Sequence, residues 1–173
     1  PDLNKSDIDF KIEGKNIRYG LNSIKGVSEK VLEALLEFRE DSFANKYEVF
    51  ISAKQAGLNI GTLSALIQAG LLDSFVEKSR SRLVLEAQTF NILTDREKRN
   101  FIALGDKYNF DILESIHDVK KSDSVGDDNR KMFTEKRFQT FKKKFQPYKD
   151  IYSMNIEHIK YANWFFEEKL LGY

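Results

Sequence analysis

The chain has 173 residues, 41% hydrophobic and 13% aromatic, which is enough to bury the core of one ordinary domain or two small ones. Its 28 basic and 27 acidic residues leave almost no net charge, which excludes a polycation, so any binding of nucleic acid must come from local patches. The absence of cysteine excludes disulfides and cysteine-based zinc sites, and the lack of a long apolar run or a signal peptide predicts a soluble, cytoplasmic protein without a membrane partner.

The first 22 residues contain two short segments in which apolar and polar residues alternate with period two. The apolar positions are Ile8, Phe10, Ile12, Ile17, Tyr19 and Leu21. A polar turn at 13–16 separates the two arms. This pattern predicts a β-hairpin over residues 1–22.

From Ser28 onward the apolar residues recur at helical spacing. The helical stretches are 31–38, 47–53, 63–67 and 83–90, and a capping box at Thr94 and Glu97 begins another helix. We therefore predict a mainly α fold, in which the short β-hairpin is followed by a helical domain over residues 23–104.

Beyond residue 104 the pattern changes twice. Residues 105–130 are polar with weak apolar spacing, which predicts a linker or loop, and 131–173 are predicted as a C-terminal helical segment. Its first part, 131–148, interleaves lysines with Phe133, Phe138, Phe141 and Phe145, and Pro147 is expected to end that helix. The phenylalanines suit either a packed core stripe, which we favour, or base stacking on a single strand.

A short turn stands before the first predicted helix. Gly26 leaves room for the backbone to approach a phosphate, and Ser28 can cap a helix whose dipole favours an anion. Lys25 and Lys30 add positive charge. This combination is typical of a helix-hairpin-helix, which binds the DNA backbone without reading its sequence. The alternative is that Gly26 only closes a turn and Ser28 only caps a helix.

Three blocks, at 1–6 (PDLNKS), 17–27 (IRYGLNSIKGV) and 66–73 (LIQAGLLD), resemble the bacterial replicative DNA polymerase III alpha subunit, in the order and at about the spacing of that family. The tail, with Trp164 and 167–173 (EEKLLGY), is similar to the segment that closes its helix-hairpin-helix region. The resemblance implies a fragment of a longer polypeptide, covering the end of the fingers and a tandem pair of helix-hairpin-helix motifs. In that family these motifs contact the backbone of the newly made duplex.

The resemblance places the first motif on 24–30 and the second on 58–62. The DNA-binding residues that we predict are Ile24, Lys25, Gly26, Val27, Ser28, Lys30, Asn59, Arg80 and Arg82. Two departures from the family matter: Ser28 stands where glycine is usual, and Ile60 and Gly61 stand where basic residues are usual. The unusual segment 131–148 is compatible with a divergent, phage-borne relative.

Asp7 and Asp9 lie two residues apart on a predicted strand, as metal-binding carboxylates can. Their block resembles the end of the fingers and not the catalytic palm, so we predict no catalytic residue, no metal site and no cofactor in this fragment, although the parent polymerase would use Mg²⁺. The predicted function is binding of double-stranded DNA within a DNA polymerase, with other replisome subunits as further partners. The alternative is a non-catalytic protein–protein interaction module in a replication complex.

Overall fold

A short β-hairpin and a set of helices make up the chain, as the periodicity predicts; the computed structural model describes residues 1–75, 79–156 and 158–172. The strands are β1 (Lys11–Glu13) and β2 (Asn16–Arg18). The helices are α1 (Glu29–Arg39), α2 (Lys46–Gln55), α3 (Ile60–Gln68), α4 (Arg80–Ile92), α5 (Asp95–Ala103), α6 (Ile112–Lys121), α7 (Glu135–Ile156) and α8 (Ile159–Leu171). Short 3₁₀ turns lie at Leu21–Ser23, Asp73–Phe75 and Asp106–Tyr108. The mainly α fold class is confirmed.

The predicted hairpin is present but shorter than its alternating pattern. Its antiparallel register pairs Lys11 with Arg18 and Ile12 with Ile17. Ile12 is 82% exposed and Ile17 69% exposed, so the period-two pattern does not mark a buried face of this hairpin. Leu21, which follows it, is fully buried and enters the core.

Polar side chains fix where the helices begin. At the start of α1 to α6, a side-chain oxygen of the preceding residue accepts a hydrogen bond from an amide of the first turn, at Ser28, Asn45, Asn59, Ser79, Thr94 and Asp111. These bonds satisfy amides that have no partner within the helix. Both hydrogen bonds of the predicted capping box are present: the N–H of Glu97 donates to the Thr94 hydroxyl oxygen, and the N–H of Thr94 donates to the Glu97 carboxylate.

Helix α4 lies at the centre of the molecule and contacts α2, α3, α6, α7 and α8. Its residues from Leu83 to Phe90 are all buried, so it is covered on every side. A helix surrounded in this way shows little amphipathic pattern in its sequence. Within the described ranges, no helix is long and apolar enough to cross a membrane.

The stretch 105–130 differs from the predicted linker or loop, because it contains α6. Ile112, Ile116 and Val119 lie on one face of this helix and are buried against the core. Together with Leu113 they recur at helical spacing after the capping residue Asp111, so the sequence contains a local helix signal that the linker prediction overlooked. The boundaries of the predicted domains themselves stay a prediction.

Helix α7 packs along α4, and the phenylalanines of α7 and of the turn before it pack into the core as predicted. Phe133 and Phe141 are buried, while Phe138 and Phe145 are half-buried at the edge of the same row. The expectation that Pro147 ends this helix is wrong, since α7 continues to Ile156. Proline has no N–H, so the carbonyl of Lys143, one turn earlier, loses its hydrogen-bond partner. Lys143 and Pro147 are both exposed, so water can donate to that carbonyl instead.

Candidate nucleic-acid interface

The turn at 24–28, which we call the first hairpin, has the geometry that its sequence predicts. The N–H of Val27 donates to the carbonyl of Ile24 at 3.1 Å, and Gly26 has a φ of +89°. Glycine is the residue that adopts this conformation without strain. Ser28 then caps α1, its Oγ accepting from the N–H of Val31 at 3.4 Å. The first hairpin is therefore a tight turn that leads directly into a helix N-terminus.

One side of the first hairpin is anchored and the other is open. Ile24 is 1% exposed and fixes the turn to the core, whereas Lys25, Gly26, Ser28 and Lys30 are exposed. A Cβ atom built on Gly26 would have no other atom within 4 Å, so the space above this residue is open. The exposed side can approach a large ligand closely.

The backbone amides of the first hairpin and of Glu29, which follows it, differ in whether they already have an acceptor. The N–H of Lys25 donates to the carbonyl of Leu170 in α8 at 2.9 Å, so it is not available to a ligand. In the part of the chain that the structure describes, the N–H groups of Gly26, Ser28 and Glu29 donate to no acceptor. An anion at the first hairpin would therefore meet these three amides and the positive end of the α1 dipole.

A second hairpin repeats this arrangement between α2 and α3. Gly57 has a φ of +90°, and the N–H of Leu58 donates to the carbonyl of Ala53 at 2.9 Å. Asn59 then caps α3, accepting from the N–H of Thr62 at 2.9 Å. Gly57, Leu58 and Asn59 thus match Gly26, Val27 and Ser28 in residue type and order, although the N–H of Gly57 donates to the carbonyl of Lys54 at 3.2 Å. The prediction for 58–62 missed the turn glycine, since Gly61 lies inside α3.

Three basic side chains line a largely apolar cavity that reaches the second hairpin, whose own sequence supplies no basic residue after Gly57. This cavity of about 810 Å³ is lined by Gly57 and Asn59 together with Lys54, Lys98 and Arg99. Burial, followed by the nearby charge of Lys54, lowers the pKa of Lys98. Asp95, which also lines the cavity, offsets part of this positive charge. An anion in the cavity would relieve the repulsion between the two lysines.

Sequence reasoning missed these three cations. Lys98 and Arg99 come from α5, which is remote in sequence, and only the fold brings them beside Gly57. The signal available in the sequence was the repeat of a glycine, an apolar residue and a capping residue at 26–28 and 57–59.

Comparison with known proteins agrees with this geometry. Residues 1–83 match a family model described as a helix-hairpin-helix motif. The DNA polymerase III alpha subunit of Aquifex aeolicus is 39% identical over 87 residues, covering 49% of this chain and 7% of that protein. The corresponding subunit of Borreliella burgdorferi is 31% identical over 124 residues, covering 70% of this chain and 11% of that protein. The chain is homologous to a part of DNA polymerase III subunit alpha.

The homologous part is a small share of the polymerase subunit. The alpha subunit of Thermus aquaticus, 35% identical over 88 residues, also matches only 7% of its own length. These relatives are bacterial, and a phage origin of the chain stays a prediction. No solved structure gives a significant match.

The structure corrects the predicted role of Arg80 in this polymerase-III-alpha homologue. Arg80 is 7% exposed, and its guanidinium donates to both carboxylate oxygens of Asp73, at 2.8 and 2.7 Å, and to Glu167 at 2.7 Å. Burial alone would lower the pKa of Arg80, but these two carboxylates raise it. The side chain ties α8 and the turn after α3 to α4. Its donors are used inside the protein, so we remove it from the DNA-binding site.

Arg82 is likewise occupied within the protein. Its guanidinium lies 2.5 Å from Asp111 and 3.2 Å from Glu86, and it joins α4 to the start of α6. Lys46 lies on the other side of Glu86, at 2.7 Å. The predicted phosphate contact of Arg82 is replaced by this network of ion pairs.

Asp7 and Asp9 lie at the start of the hairpin region. Asp7 pairs with Lys11 at 3.1 Å, and Asp9 accepts a hydrogen bond from the side-chain amide of Asn22 at 2.6 Å. Across residues 1–75, 79–156 and 158–172, no three His, Cys, Asp or Glu side chains come together as a metal site.

The pair between Asp111 and Arg82 leads to a prediction about acid stability. Burial alone would raise the pKa of Asp111, but hydrogen bonds from Arg82 and from the N–H of Glu114 lower it below its ordinary value. A carboxylate with a lowered pKa in the folded state stabilises the protein above its unfolded-state pKa of about 4, and this contribution is lost as the pH falls through the folded value. We expect Asp111→Asn, which keeps a capping oxygen, to lower the free energy of unfolding at pH 7 by about 1–3 kcal/mol.

Urea denaturation between pH 7 and pH 3 measures this effect. The difference between parent and variant should shrink as the pH falls below about 4. Burial raises the pKa of the neighbouring Glu86 and the charge of Asp111 adds to this, so Asp111→Asn also relieves Glu86 and the difference between the two proteins reports on the coupled pair. A difference that stays constant down to pH 3 would show that the charge of Asp111 adds nothing.

Proposed function

We propose that this chain binds the phosphate backbone of duplex DNA at its two hairpins. The observation that carries the proposal is the equivalence of the two turns, each with a glycine at a φ near +90°, a capping residue two positions later and a helix that begins next. Two such turns suit two phosphate contacts on a duplex, and contacts between backbone amides and phosphates carry no sequence information.

The residues have distinct roles in this proposal. Ile24 and Val27 hold the first hairpin on the core, while Gly26 and the capped start of α1 present amides to a phosphate. Lys25 and Lys30 supply positive charge, and the exposed Glu29 offsets part of it. At the second hairpin Asn59 shapes the turn.

The cations of the second hairpin are Lys54, Lys98 and Arg99. We propose that they take the place of the basic residues that are usual in the second motif of the alpha subunit.

In the parent polypeptide this region would hold the primer–template product during replication. We propose that polymerisation and its Mg²⁺ belong to other parts of that polypeptide, that the fragment alone is not catalytic, and that the setting is the cytoplasm together with other replisome subunits. The curated relatives are named as DNA polymerase III alpha subunits, which supports this assignment.

Fluorescence anisotropy with labelled duplexes of equal length tests the proposal. Affinity should differ little between mixed and GC-rich sequences, and the logarithm of the association constant should fall linearly with the logarithm of salt, with a slope of about −0.9 for each phosphate neutralised. A strong preference for one sequence, or an affinity that does not change with salt, would contradict phosphate binding.

A charge-matched pair of variants tests the second hairpin. Lys98→Gln with Arg99→Gln removes two of its cations, and we expect the salt slope to become less steep by about two phosphate contacts at most. Lys143→Gln with Lys144→Gln removes the same charge from the exposed face of α7 and serves as the control. If both double variants change DNA affinity equally, net charge and not the second hairpin is responsible.

A further inference from the structure

A second groove lies between α4, α6 and α7, away from both hairpins in sequence. It encloses about 640 Å³, which is within the range of ligand pockets. Its apolar lining residues are Leu85, Leu113, Ile116, Phe138, Phe141 and Phe145. Phe141 lies within 6.1 Å of Phe138 and 5.5 Å of Phe145, ring centre to ring centre, so the row of rings forms a continuous apolar wall along α7.

The rim of this groove is positive. Every charged residue among its described lining is basic: Arg82, Lys120, Lys121, Lys142 and Lys149. Lys120 pairs with Glu135 at 2.9 Å and lies over the ring of Phe138 at 5.0 Å, and Arg82 pairs with Asp111.

Three of the rim lysines are left without such a pair. For Lys121, Lys142 and Lys149, no carboxylate in the described part of the chain lies within 4 Å, although Asp118 and Glu135 are near enough to interact with the charges of Lys121 and Lys142. An apolar wall with several unpaired lysines at its edge is complementary to a ligand that is apolar in the middle and acidic at its flanks.

We propose that this groove binds an acidic amphipathic peptide segment of a partner protein. Apolar side chains spaced at i, i+3 and i+4 would lie against the phenylalanine row, and flanking Asp or Glu would reach Lys142 and Lys149. The groove favours a peptide over single-stranded nucleic acid, because Phe141 is buried and Lys120 lies over the ring of Phe138, which leaves little open ring face. Base stacking needs open ring faces. The inference is independent of DNA binding at the hairpins.

The probe is a labelled 16-residue helical peptide with leucines at i, i+3, i+4 and i+7 spacing and glutamates elsewhere. A peptide with lysine in place of every glutamate is the matched control. We expect the acidic peptide to bind at least tenfold more tightly than the basic peptide, and Lys142→Glu with Lys149→Glu to weaken it at least tenfold. Both lysines are exposed, so the charge reversal should leave the fold intact, which circular dichroism checks.

Further variants and competitors separate the outcomes. Lys25→Gln with Lys30→Gln should bind the acidic peptide as the parent does, whatever happens to its DNA affinity. Leu113→Glu, a half-buried position in the wall, should also weaken the peptide. The proposal is overturned if the acidic and basic peptides bind alike, if charge reversal has no effect, or if an oligothymidine strand displaces the peptide and binds the groove more tightly.

Discussion

Replacing Arg80 by methionine is expected to lower the free energy of unfolding by about 2–3 kcal/mol, which is less than the cost of breaking a fully buried ion pair because water reaches the carboxylates of Asp73 and Glu167. Arg80 is 7% exposed and bridges Asp73 and Glu167, so the variant leaves two carboxylates beside an apolar side chain. Gln68 also loses the hydrogen bond that its carbonyl accepts from Arg80 at 3.2 Å. Chemical denaturation followed by circular dichroism measures the loss.

A second substitution tests the cause. If uncompensated carboxylates are responsible, adding Glu167→Gln to Arg80→Met should recover part of the stability, because one unpaired charge is removed. The folded fraction of Arg80→Met should bind duplex DNA as the parent does, since the guanidinium is used within the protein. A stable Arg80→Met variant with weakened DNA binding would restore Arg80 to the DNA-binding site.

Replacing Gly26 by valine is expected to weaken duplex-DNA binding at least tenfold. The side chain would occupy the open space above the first hairpin and keep a phosphate from the free amides of Gly26 and Ser28. No protein atom lies within 4 Å of the new Cβ, so the substitution strains the fold only through its φ of +89°, by about 1–3 kcal/mol. Anisotropy at low salt, with the unfolding free energy measured in parallel, separates the two effects.

Gly14→Val is the matched control for this experiment. Gly14 also has a positive φ, of +64°, and open space around its Cβ, but it lies at the tip of the β-hairpin and not before a helix. Backbone strain is thus similar and only the position differs. Equal loss of DNA affinity in both glycine variants would mean that the first hairpin only packs and does not bind phosphate.

The features that the sequence predicted correctly are those that depend only on contacts between neighbouring residues. The cap at Ser28, the capping box at Thr94 and the turn at Gly26 each involve contacts within a few positions, and all three are present. The same local rules failed at Pro147, because whether a helix tolerates proline depends on which face meets water. They predicted the hairpin that contains Ile12 but not the 82% exposure of this residue.

Features that depend on the assembled fold could not be predicted from the pattern. Arg80 has the same local setting as a solvated basic residue, and only the position of Glu167, far along the chain, makes it a buried ion-pair partner. Lys98 joins the second hairpin for the same reason. Helix α6 is a different case, because its apolar spacing and its cap at Asp111 were present in the sequence and were overlooked.

The hydrogen bond from Lys25 to Leu170 has a consequence for the order of folding. It joins residues near opposite ends of the chain, and closing so long a loop carries an entropic cost that local contacts avoid. A ribosome releases the first hairpin long before α8 exists, and domains form as their residues emerge. We therefore expect α1 to α4 to assemble early and the amide of Lys25 to stay solvated until synthesis of the chain has passed Leu170.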